Sequence, residues 1–220
     1  MVSEANGYRH VIWDWNGTLF DDVWMCVETI NRSLTKRQMP AITRDQYRQV
    51  FGFPVRDYYV RLGFDFEAES FESVGTEWVV EYERRRHEVS LHAHARQVLA
   101  ALRERGITQS ILSAYKQETL DELVEHFDLK EFFLKVNGLD NHYATSKEAI
   151  GKAWMEELHY GPHEVLFIGD TEHDLEVATA IGADCVLIPN GNQARENLEK
   201  TGAELIGSLS ELLERKFIED

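Results

Sequence analysis

Acidic residues follow two apolar stretches of the sequence, and their spacing favours a metal site. Asp14 comes directly after one apolar run, and Asp170 follows another, with Asp174 four residues further on. A carboxylate at the end of a buried strand is costly unless it has a partner or a ligand. Together with a backbone carbonyl in the tight turn at Asn16, Asp14 and Asp170 make a set of hard oxygen ligands. This set predicts a Mg²⁺ site.

Two hydrogen-bond donors stand at comparable places in the chain. Ser113 ends the apolar run at 107–112, and Lys147 opens a stretch with helical spacing. A hydroxyl and an ammonium group are donors for the non-bridging oxygens of a phosphoryl group. With these donors in place, Asp14 would act as the nucleophile and form an aspartyl-phosphate.

Each of these residues has an ordinary structural explanation when it is taken alone. A serine at a strand end commonly caps a helix or forms a turn, and a lone lysine is commonly solvated. Asp170 and Asp174 would also suit the first turn of a helix, where carboxylates interact favourably with the helix dipole. We prefer the functional interpretation because all of these residues are predicted to lie at one edge of a single sheet.

The elements that would bring them together alternate between strand and helix. Apolar strands are predicted at 8–13, 107–112, 132–136, 165–168 and 185–188, with helices between the last four. Alternation of this kind predicts an α/β fold with a Rossmann-like parallel sheet and helices on both faces. In such sheets ligands bind beyond the carboxyl ends of the strands, and the candidate residues follow those ends.

Residues 21–90 interrupt this alternation after the first strand. The segment has no strand pattern, and its apolar spacing predicts four helices between Asp22 and His87. We interpret it as an inserted all-helical cap domain, so that residues 1–20 and 91–220 form the catalytic core.

The composition limits the partners and the location. The chain of 220 residues has a formal net charge of −16, whereas nucleic acids and anionic membranes require a basic surface. Residues 2–10 are polar, and no apolar run approaches the length of a membrane span. We therefore expect a cytoplasmic protein that binds neither nucleic acid nor a membrane. A small phosphorylated molecule can still bind if a metal ion and one or two lysines neutralise it locally. The oligomeric state is not readable from the sequence.

Four ordered motifs resemble those of the haloacid dehalogenase (HAD) superfamily. Residues 14–19, DWNGTL, are similar to the first motif, in which a second aspartate usually stands where this chain has Asn16. Ser113 matches the second motif, Lys147 the third, and the stretch GDTEHD from Gly169 the fourth. The resemblance covers nearly the whole chain and implies a HAD-like core with a type-one helical cap. The cap stretch FGFPVRDYYVRLG also resembles phosphoglycolate-phosphatase-like members, although it identifies no substrate.

The resemblance implies a role for every matching position. Asp14 would be the nucleophile and a metal ligand, and Asn16 would be a ligand through its carbonyl. Asp170 would be a further ligand, and Asp174 a second ligand or a support acting through water. The serine and the lysine of the second and third motifs would hold the transferring group.

Asn16 departs from the family pattern and leaves three alternatives open. In the family's phosphatases the second aspartate protonates the leaving alkoxide and then activates water, and an amide cannot exchange that proton. General acid–base catalysis contributes about 10²–10⁴-fold, so its loss is serious but need not be total. The chain could be a phosphatase whose substrate has a good leaving group or whose acid comes from the cap or the substrate. It could instead be another HAD enzyme, such as a phosphonatase with a Schiff-base lysine in the cap, or a phosphoryl-ligand binding protein with little turnover.

The sequence favours phosphate-ester hydrolysis among these alternatives. The only lysine of residues 21–90 is Lys36, which stands beside Arg37, whereas a Schiff-base lysine is expected in apolar surroundings. A dehalogenase needs no metal, while GDTEHD is typical of Mg²⁺-dependent members. The binding-protein alternative stays open, although a nucleophile, a lysine and both metal-side acids would be an unusual set in a protein without activity. The predicted catalytic residues are Asp14, Asn16, Ser113 and Lys147, and the predicted Mg²⁺ ligands are Asp14, Asn16, Asp170 and Asp174.

Overall fold

A parallel sheet forms the centre of the molecule. The computed structural model describes residues 7–139, 146–161 and 163–214. Its strands are β1 (His10–Trp13), β2 (Thr108–Lys116), β3 (Lys135–Leu139), β4 (Val165–Gly169), β5 (Asp184–Leu187) and β6 (Glu204–Leu205). They pair in parallel in the order β3-β2-β1-β4-β5-β6, so the order reverses at β1, which pairs with β2 and β4.

The described residues form ten α-helices. They are α1 (Val23–Lys36), α2 (Arg44–Val50), α3 (Val55–Arg61), α4 (Phe71–Arg85), α5 (Ala95–Glu104), α6 (Gln117–His126), α7 (Lys147–Leu158), α8 (Glu172–Ile181), α9 (Arg195–Glu199) and α10 (Glu211–Glu214). The first four lie between β1 and β2, in the segment that the sequence predicts to be helical. None of the helices in the described ranges is both long and apolar enough to cross a membrane.

The two chain segments that join this helical insert to the sheet run side by side. Phe20 and Leu91 form an antiparallel bridge, and the Asp21 N–H donates to the Ser90 carbonyl at 3.0 Å. We call residues 21–90 the cap and the remainder the core. That the cap is a separate domain stays a prediction.

Helices cover both faces of the sheet. Val11 and Trp13 of β1 belong to an apolar cluster that includes residues of α5 and α6, while Ile12 belongs to a second cluster with residues of α7 and α8. All four residues of β1 are buried, as are all five of β4. Strands buried on both faces are expected in a parallel α/β sheet, and the predicted Rossmann-like fold is confirmed.

The predicted ends of two strands were wrong. β2 does not end at Leu112 but continues through Ser113 to Lys116, which pairs with Leu139 of β3 after a register shift. The predicted strand at 132–136 lies instead at 135–139, because residues 130–132 form a 3₁₀ turn. Pairing with a distant strand sets these limits, and a local apolar pattern does not contain that information.

Candidate active site

Asp14 lies at the C-terminal end of the central strand, where the strand order reverses. Its N–H donates to the Ile168 carbonyl of β4 at 2.8 Å, so Asp14 continues the pairing of β1. The chain then turns at Gly17, where φ is +79°. A Cβ at this position would lie 2.2 Å from Asp170 Oδ2, so both the backbone conformation and the close approach require glycine. The turn thereby brings Asp14 and Asp170 together.

Asp170 and Asp174 are held by the end of β4 and the first turn of α8. Thr171 is the N-cap of α8 and forms a capping box with Asp174, whose Oδ2 accepts from the Thr171 N–H at 3.0 Å. The same oxygen accepts from the Asp170 N–H at 3.1 Å. Ligand oxygens of Asp14, Asp170 and Asp174 lie within 4.8 Å of one another, and all three residues are buried. The structure therefore brings together the three acids that the sequence predicts.

Lys147 connects two of these acids. It is the first residue of α7, and its side chain is buried against the sheet, with Nζ 5.2 Å from the centre of the Phe167 ring. Nζ donates to Asp14 Oδ1 at 2.5 Å and to Asp174 Oδ1 at 2.6 Å. The lysine of the predicted set thus contacts the predicted nucleophile directly.

Burial and the charges of neighbouring groups shift the pKa values of the three acids and of Lys147. Burial raises the pKa of Asp14 to about 7, against the opposing effect of Lys147. Burial, reinforced by Asp174 and Asp14, also raises the pKa of Asp170 well above its usual range. Burial would raise the pKa of Asp174 and lower that of Lys147, but their ion pair outweighs burial in both residues.

The residues present fit a hard divalent cation. Lys147 forms ion pairs with two of the three buried carboxylates, Asp14 and Asp174, so ionisation of all three leaves excess negative charge in a region away from water. A cation among their oxygens would offset that charge, and carboxylate and carbonyl oxygens are preferred ligands of Mg²⁺. Both oxygens of Asp174 accept hydrogen bonds of 2.6–3.1 Å, whereas one oxygen each of Asp14 and Asp170 has, among the described contacts, only the hydroxyl of Thr18 at 3.4 Å. Asp14 and Asp170 are therefore the better placed direct ligands.

Ser113 lies in the same region but is positioned differently from its prediction. It is 1% exposed and lies within β2, beyond the part of the strand that pairs regularly with β3. In the pairing register Trp13 is opposite Ile111, which puts Ser113 one residue beyond the level of Asp14. Its Oγ accepts from the Tyr115 N–H at 3.1 Å. The serine therefore lies near the level of Asp14 at the end of the sheet, and none of its described hydrogen bonds goes to the three acids.

Asn16 takes part in the site through its backbone, while its side chain is bound elsewhere. Its carbonyl accepts from the side-chain amide of Asn192 at 3.4 Å. Its own amide donates to Asp22 Oδ2 at 2.9 Å and to the Tyr82 hydroxyl of the cap at 2.8 Å. Burial raises the pKa of Asp22. The residue that replaces the usual acid is thus hydrogen-bonded to a buried acid that the sequence analysis did not identify.

Asn192 and Thr18 also border the site and were missed. The backbone N–H and the side-chain amide of Asn192 both donate to Asp170 Oδ2, at 2.5 and 3.0 Å. A Cβ at Gly191 would lie 2.0 Å from that same oxygen. The Thr18 hydroxyl lies 3.4 Å from both Asp14 Oδ2 and Asp170 Oδ1. The sequence Asn-Gly-Asn after the fifth strand is a turn signal at the correct sheet edge, and it could have revealed Asn192.

The cap contacts the same loop. The Tyr47 hydroxyl of α2 donates to Asn192 Oδ1 at 2.9 Å, and Arg48 Nε donates to the Gly191 carbonyl at 2.8 Å. Asn192 therefore contacts Asp170 on one side and the cap on the other. These bonds place the cap beside the acids at the end of the sheet.

Comparisons with known proteins agree with this geometry. A family model described as haloacid dehalogenase-like hydrolase matches residues 11–188. Phosphoglycolate phosphatase of Vibrio parahaemolyticus is 23% identical over 215 residues, which cover 93% of this chain and 94% of that protein. Tyrosine-protein kinase PtkA of Mycobacterium tuberculosis is 24% identical over 199 residues, which cover 89% of this chain and 67% of the kinase.

A similar fold occurs in a crystal structure of a predicted phosphatase from Clostridium acetobutylicum. The TM-score is 0.79 at 21% sequence identity, and the match covers 95% of this chain and 98% of that one. At this identity the likeness shows the fold alone. The range matched by the family model contains every site residue predicted from the sequence, while Asn192 lies beyond its end.

Proposed function

Because the chain belongs to the haloacid dehalogenase-like hydrolase family, we propose that it is a Mg²⁺-dependent phosphatase acting through an aspartyl-phosphate on Asp14. The family membership confirms the resemblance read from the four motifs and the prediction of a phosphatase-type enzyme similar to phosphoglycolate phosphatases. The metal, the intermediate and the substrate, a small phosphorylated metabolite, are parts of the proposal. The cytoplasmic location stays a prediction.

One observation carries this proposal. Lys147 binds Oδ1 of Asp14, while Oδ2 has, among the described contacts, only the long approach of the Thr18 hydroxyl. The ammonium favours the ionised, nucleophilic form of a carboxylate that burial alone would protonate. A buried acid with one oxygen held by an ammonium and the other without a short hydrogen bond is suited to attack phosphorus.

The reaction would proceed in two displacements. In the first, an Asp14 oxygen attacks the phosphorus of the ester, the bond from phosphorus to the ester oxygen breaks, and the alcohol leaves with a proton from solvent. In the second, water attacks the same phosphorus, the bond to Asp14 breaks, and inorganic phosphate is released. Lys147 and Ser113 would donate to the non-bridging oxygens. Mg²⁺, held by Asp14, Asp170 and the Asn16 carbonyl, would offset the negative charge of the transferring group.

Asn16 shapes the expected substrate range. Its amide cannot protonate a leaving alkoxide, and it is already engaged by Asp22 and Tyr82. Phenyl and acyl phosphates, whose leaving groups need little protonation, should therefore be hydrolysed faster than alkyl phosphates. The second displacement should also be slow, because no acid at this position activates water.

A pocket near the site is lined by none of the predicted catalytic residues or metal ligands. It has a volume of about 330 Å³, lies at the junction of cap and core, and includes Glu172 and Gln193. These residues adjoin Thr171 and Asn192, and the Glu172 N–H donates to Gln193 Oε1 at 2.6 Å. The remaining lining comes from residues 49–53, Arg61, Asn197, Lys200 and Thr201.

Transfer to an acceptor other than water is a second candidate function. The chain is similar to the tyrosine kinase PtkA over most of its length, and Asn16 lacks the carboxyl that would activate water. An aspartyl-phosphate that water attacks slowly remains available to a hydroxyl acceptor. ATP with a tyrosine-containing peptide is therefore a separate arm of the test.

The surroundings of Lys36 do not support the phosphonatase alternative, which requires a Schiff-base lysine in the cap. Lys36 Nζ forms an ion pair with Glu77 at 2.9 Å, and its side chain is 65% exposed. A Schiff base requires a neutral amine, and neither exposure nor a neighbouring carboxylate favours that form.

Hydrolysis of para-nitrophenyl phosphate and a panel of phosphorylated metabolites, with Mg²⁺ or with EDTA, tests the proposal. We expect Mg²⁺-dependent release of phosphate that is absent in Asp14→Asn. Glu176→Gln is the matched control, because Glu176 is an exposed acid on α8 that contacts His173 rather than the site. Lack of hydrolysis with every ester would contradict the proposal. Phosphotyrosine formed from ATP faster than ATP is hydrolysed would favour the second candidate.

A further inference from the structure

A buried triangle of side chains links the turn after β1 to the cap. It consists of Asn16, Asp22 and Tyr82, and we call it the latch. Asn16 Nδ2 donates to Asp22 Oδ2 at 2.9 Å and to the Tyr82 hydroxyl at 2.8 Å, and that hydroxyl donates to Asp22 Oδ2 at 2.5 Å. Asp22 is 1% exposed and Tyr82 is 3% exposed. The three side chains are therefore hydrogen-bonded to one another largely away from water, while the other Asp22 oxygen, Oδ1, has no hydrogen-bond partner among the described residues.

The hydrogen-bond inventory of the latch fixes the orientation of Asn16. Asp22 Oδ2 accepts from three groups, namely the Asn16 amide, the Tyr82 hydroxyl and the thiol of Cys26, which lies 3.6 Å away. Both hydrogens of the Asn16 amide are used in this way. A carboxylate at position 16 would have no hydrogen to donate, and it would face Asp22 across the 2.9 Å that the hydrogen bond now spans. Two buried carboxylates at that separation repel strongly.

The latch joins three separate segments of the chain. Asn16 lies in the core turn that also carries the Asp14 nucleophile, Asp22 directly precedes α1, and Tyr82 belongs to α4. These are the first and last helices of the cap. The Tyr82 ring is packed against Trp78, with ring centres 4.8 Å apart, so the position of the hydroxyl is fixed by its own helix. A shift of the cap relative to the core would break the hydrogen bond between that hydroxyl and the Asn16 amide.

We propose that Asn16 is a positioning residue that fixes the cap beside the active-site turn, and that Asp22 is the reason why position 16 carries an amide. The backbone carbonyl of Asn16 belongs to the proposed metal site while its side chain belongs to the latch. Cap position and site geometry are thus coupled through one residue. The catalytic meaning of this coupling rests on the proposed function, but the latch can be measured without turnover.

Thermal unfolding of four forms of the full chain tests the pairing of Asn16 with Asp22. The forms are the unmodified protein, Asn16→Asp, Asp22→Asn and the exchange variant that carries both changes. We expect Asn16→Asp alone to lower Tm by about 6–12 °C, because a buried carboxylate loses its donor and gains a like charge. In the Asp22→Asn background the same change should lower Tm by less than about 3 °C, because an amide again faces a carboxylate.

Equal Tm losses for Asn16→Asp in both backgrounds would overturn the proposal, since independent residues give additive effects. The same four forms distinguish this failure from failure of the proposed function. Coupled Tm values in a protein that hydrolyses no ester would retain the latch and reject the phosphatase. Additive Tm values in an active enzyme would retain the phosphatase and reject the latch.

A second comparison separates positioning from stability alone. Tyr82→Phe removes the hydroxyl of the latch, and Tyr58→Phe is its matched control, because the buried Tyr58 hydroxyl of α3 has no hydrogen-bond partner among the described residues. We expect Tyr82→Phe to raise the KM for para-nitrophenyl phosphate about 5–10-fold, with kcat within about twofold, which is the size of effect expected for one lost hydrogen bond. Tyr58→Phe should leave both constants within about twofold.

Equal KM values for the two tyrosine variants would overturn the positioning role. If the unmodified protein shows no turnover, the Kd of inorganic phosphate in Mg²⁺ replaces KM, and the same contrast between Tyr82→Phe and Tyr58→Phe is expected. Asn16→Asp combined with Asp22→Asn serves as the rescue. It should bring the KM or the Kd back towards the unmodified value after the loss in Asn16→Asp alone.

Discussion

The two ends of β1 carry buried polar groups with opposite electrostatic character. At the N-terminal end, His10 Nδ1 lies 2.8 Å from Thr108 Oγ1, and Nε2 lies 2.8 Å from Ser110 Oγ. Trp154 Nε1 donates to the same Ser110 oxygen at 2.9 Å. Burial lowers the pKa of His10 to about 4, so this end is neutral and its hydrogen bonds are satisfied internally.

The C-terminal end of the same strand, four residues further on, lies among acidic groups whose negative charge the protein does not fully offset. Asp14, Asp170 and Asp174 are also buried, yet the Lys147 ammonium pairs with Asp14 and Asp174 and not with Asp170, and burial raises the pKa of Asp14 to about 7. Buried polar groups in both places satisfy the simple rule that such groups find partners. The difference is in net charge. An excess of charge that the protein does not offset marks the end where a ligand is expected.

Asp14→Asn, at the C-terminal end of β1, should have the largest effect of the four changes, and that effect should be on activity rather than on stability. Without its nucleophile the protein should lose at least about 10⁴-fold in kcat, while Tm changes by less than about 4 °C. Phosphate release and thermal unfolding on the same sample measure both quantities. A variant that retains more than a tenth of the activity would place the nucleophile elsewhere.

Lys147→Met should have the next largest effect, and the quantity affected should be the free energy of unfolding. Removing the ammonium leaves buried Asp14 and Asp174 without their ion-pair partner, which should lower the free energy of unfolding by about 3–5 kcal/mol at pH 8. Urea denaturation measures this change. Lys147→Arg keeps the positive charge and is the control, so it should lose activity while retaining most of the stability. Equal stability of Lys147→Met and the unmodified protein would show that the charges at this end are already balanced.

Added Mg²⁺ should stabilise the C-terminal end selectively. At a Mg²⁺ concentration about 100 times its Kd, binding to the native state alone adds about 2.7 kcal/mol to the free energy of unfolding. Asp170→Asn should abolish most of this gain, whereas Glu176→Gln should keep it. Unfolding scans in MgCl₂ and in EDTA provide the measurement. An equal gain in both variants would indicate binding at another place.

Acid should weaken the N-terminal end, with the smallest effect of the four. The folded-state pKa of His10 is lowered to about 4 from 6.5, so its contribution is present above pH 6.5 and is lost as the pH falls towards 4. At pH 5 this amounts to about 2 kcal/mol. His10→Phe should be less stable at pH 7.5 but should lose less stability between pH 7.5 and pH 5, with kcat unchanged. An unchanged acid response in His10→Phe would assign the loss to other groups.

Local patterns in the sequence were sufficient to predict the parallel sheet and the charged end of β1. Asp14 and Asp170 each follow an apolar strand directly in the sequence, and a carboxylate at the end of a buried strand indicates a functional site. The neutral end was not predicted, because His10 looks like an ordinary strand residue until Thr108 and Ser110 are paired with it. Pairing between segments about 100 residues apart is not a local property of the chain.

The same limit explains the errors within the site. Ser113 was expected at a strand end, but pairing of Lys116 with Leu139 extends β2 past it. In the sequence Asp22 is typical of the start of a helix. Its place in the latch also involves Tyr82, which is 60 residues further along the chain. Asn192 lies in a short turn after β5 that resembles many surface loops. Residues that act through contacts between distant segments required the structure.

Chemical trapping of Asp14 during turnover tests the central claim most directly. The protein would be mixed with para-nitrophenyl phosphate and Mg²⁺, quenched in acid, reduced with borohydride and mapped by mass spectrometry, because reduction converts an aspartyl-phosphate to homoserine. We predict homoserine at position 14 in high yield, since Asn16 cannot activate the water that would clear the intermediate. Continued phosphate release without any modification of Asp14 would contradict the account.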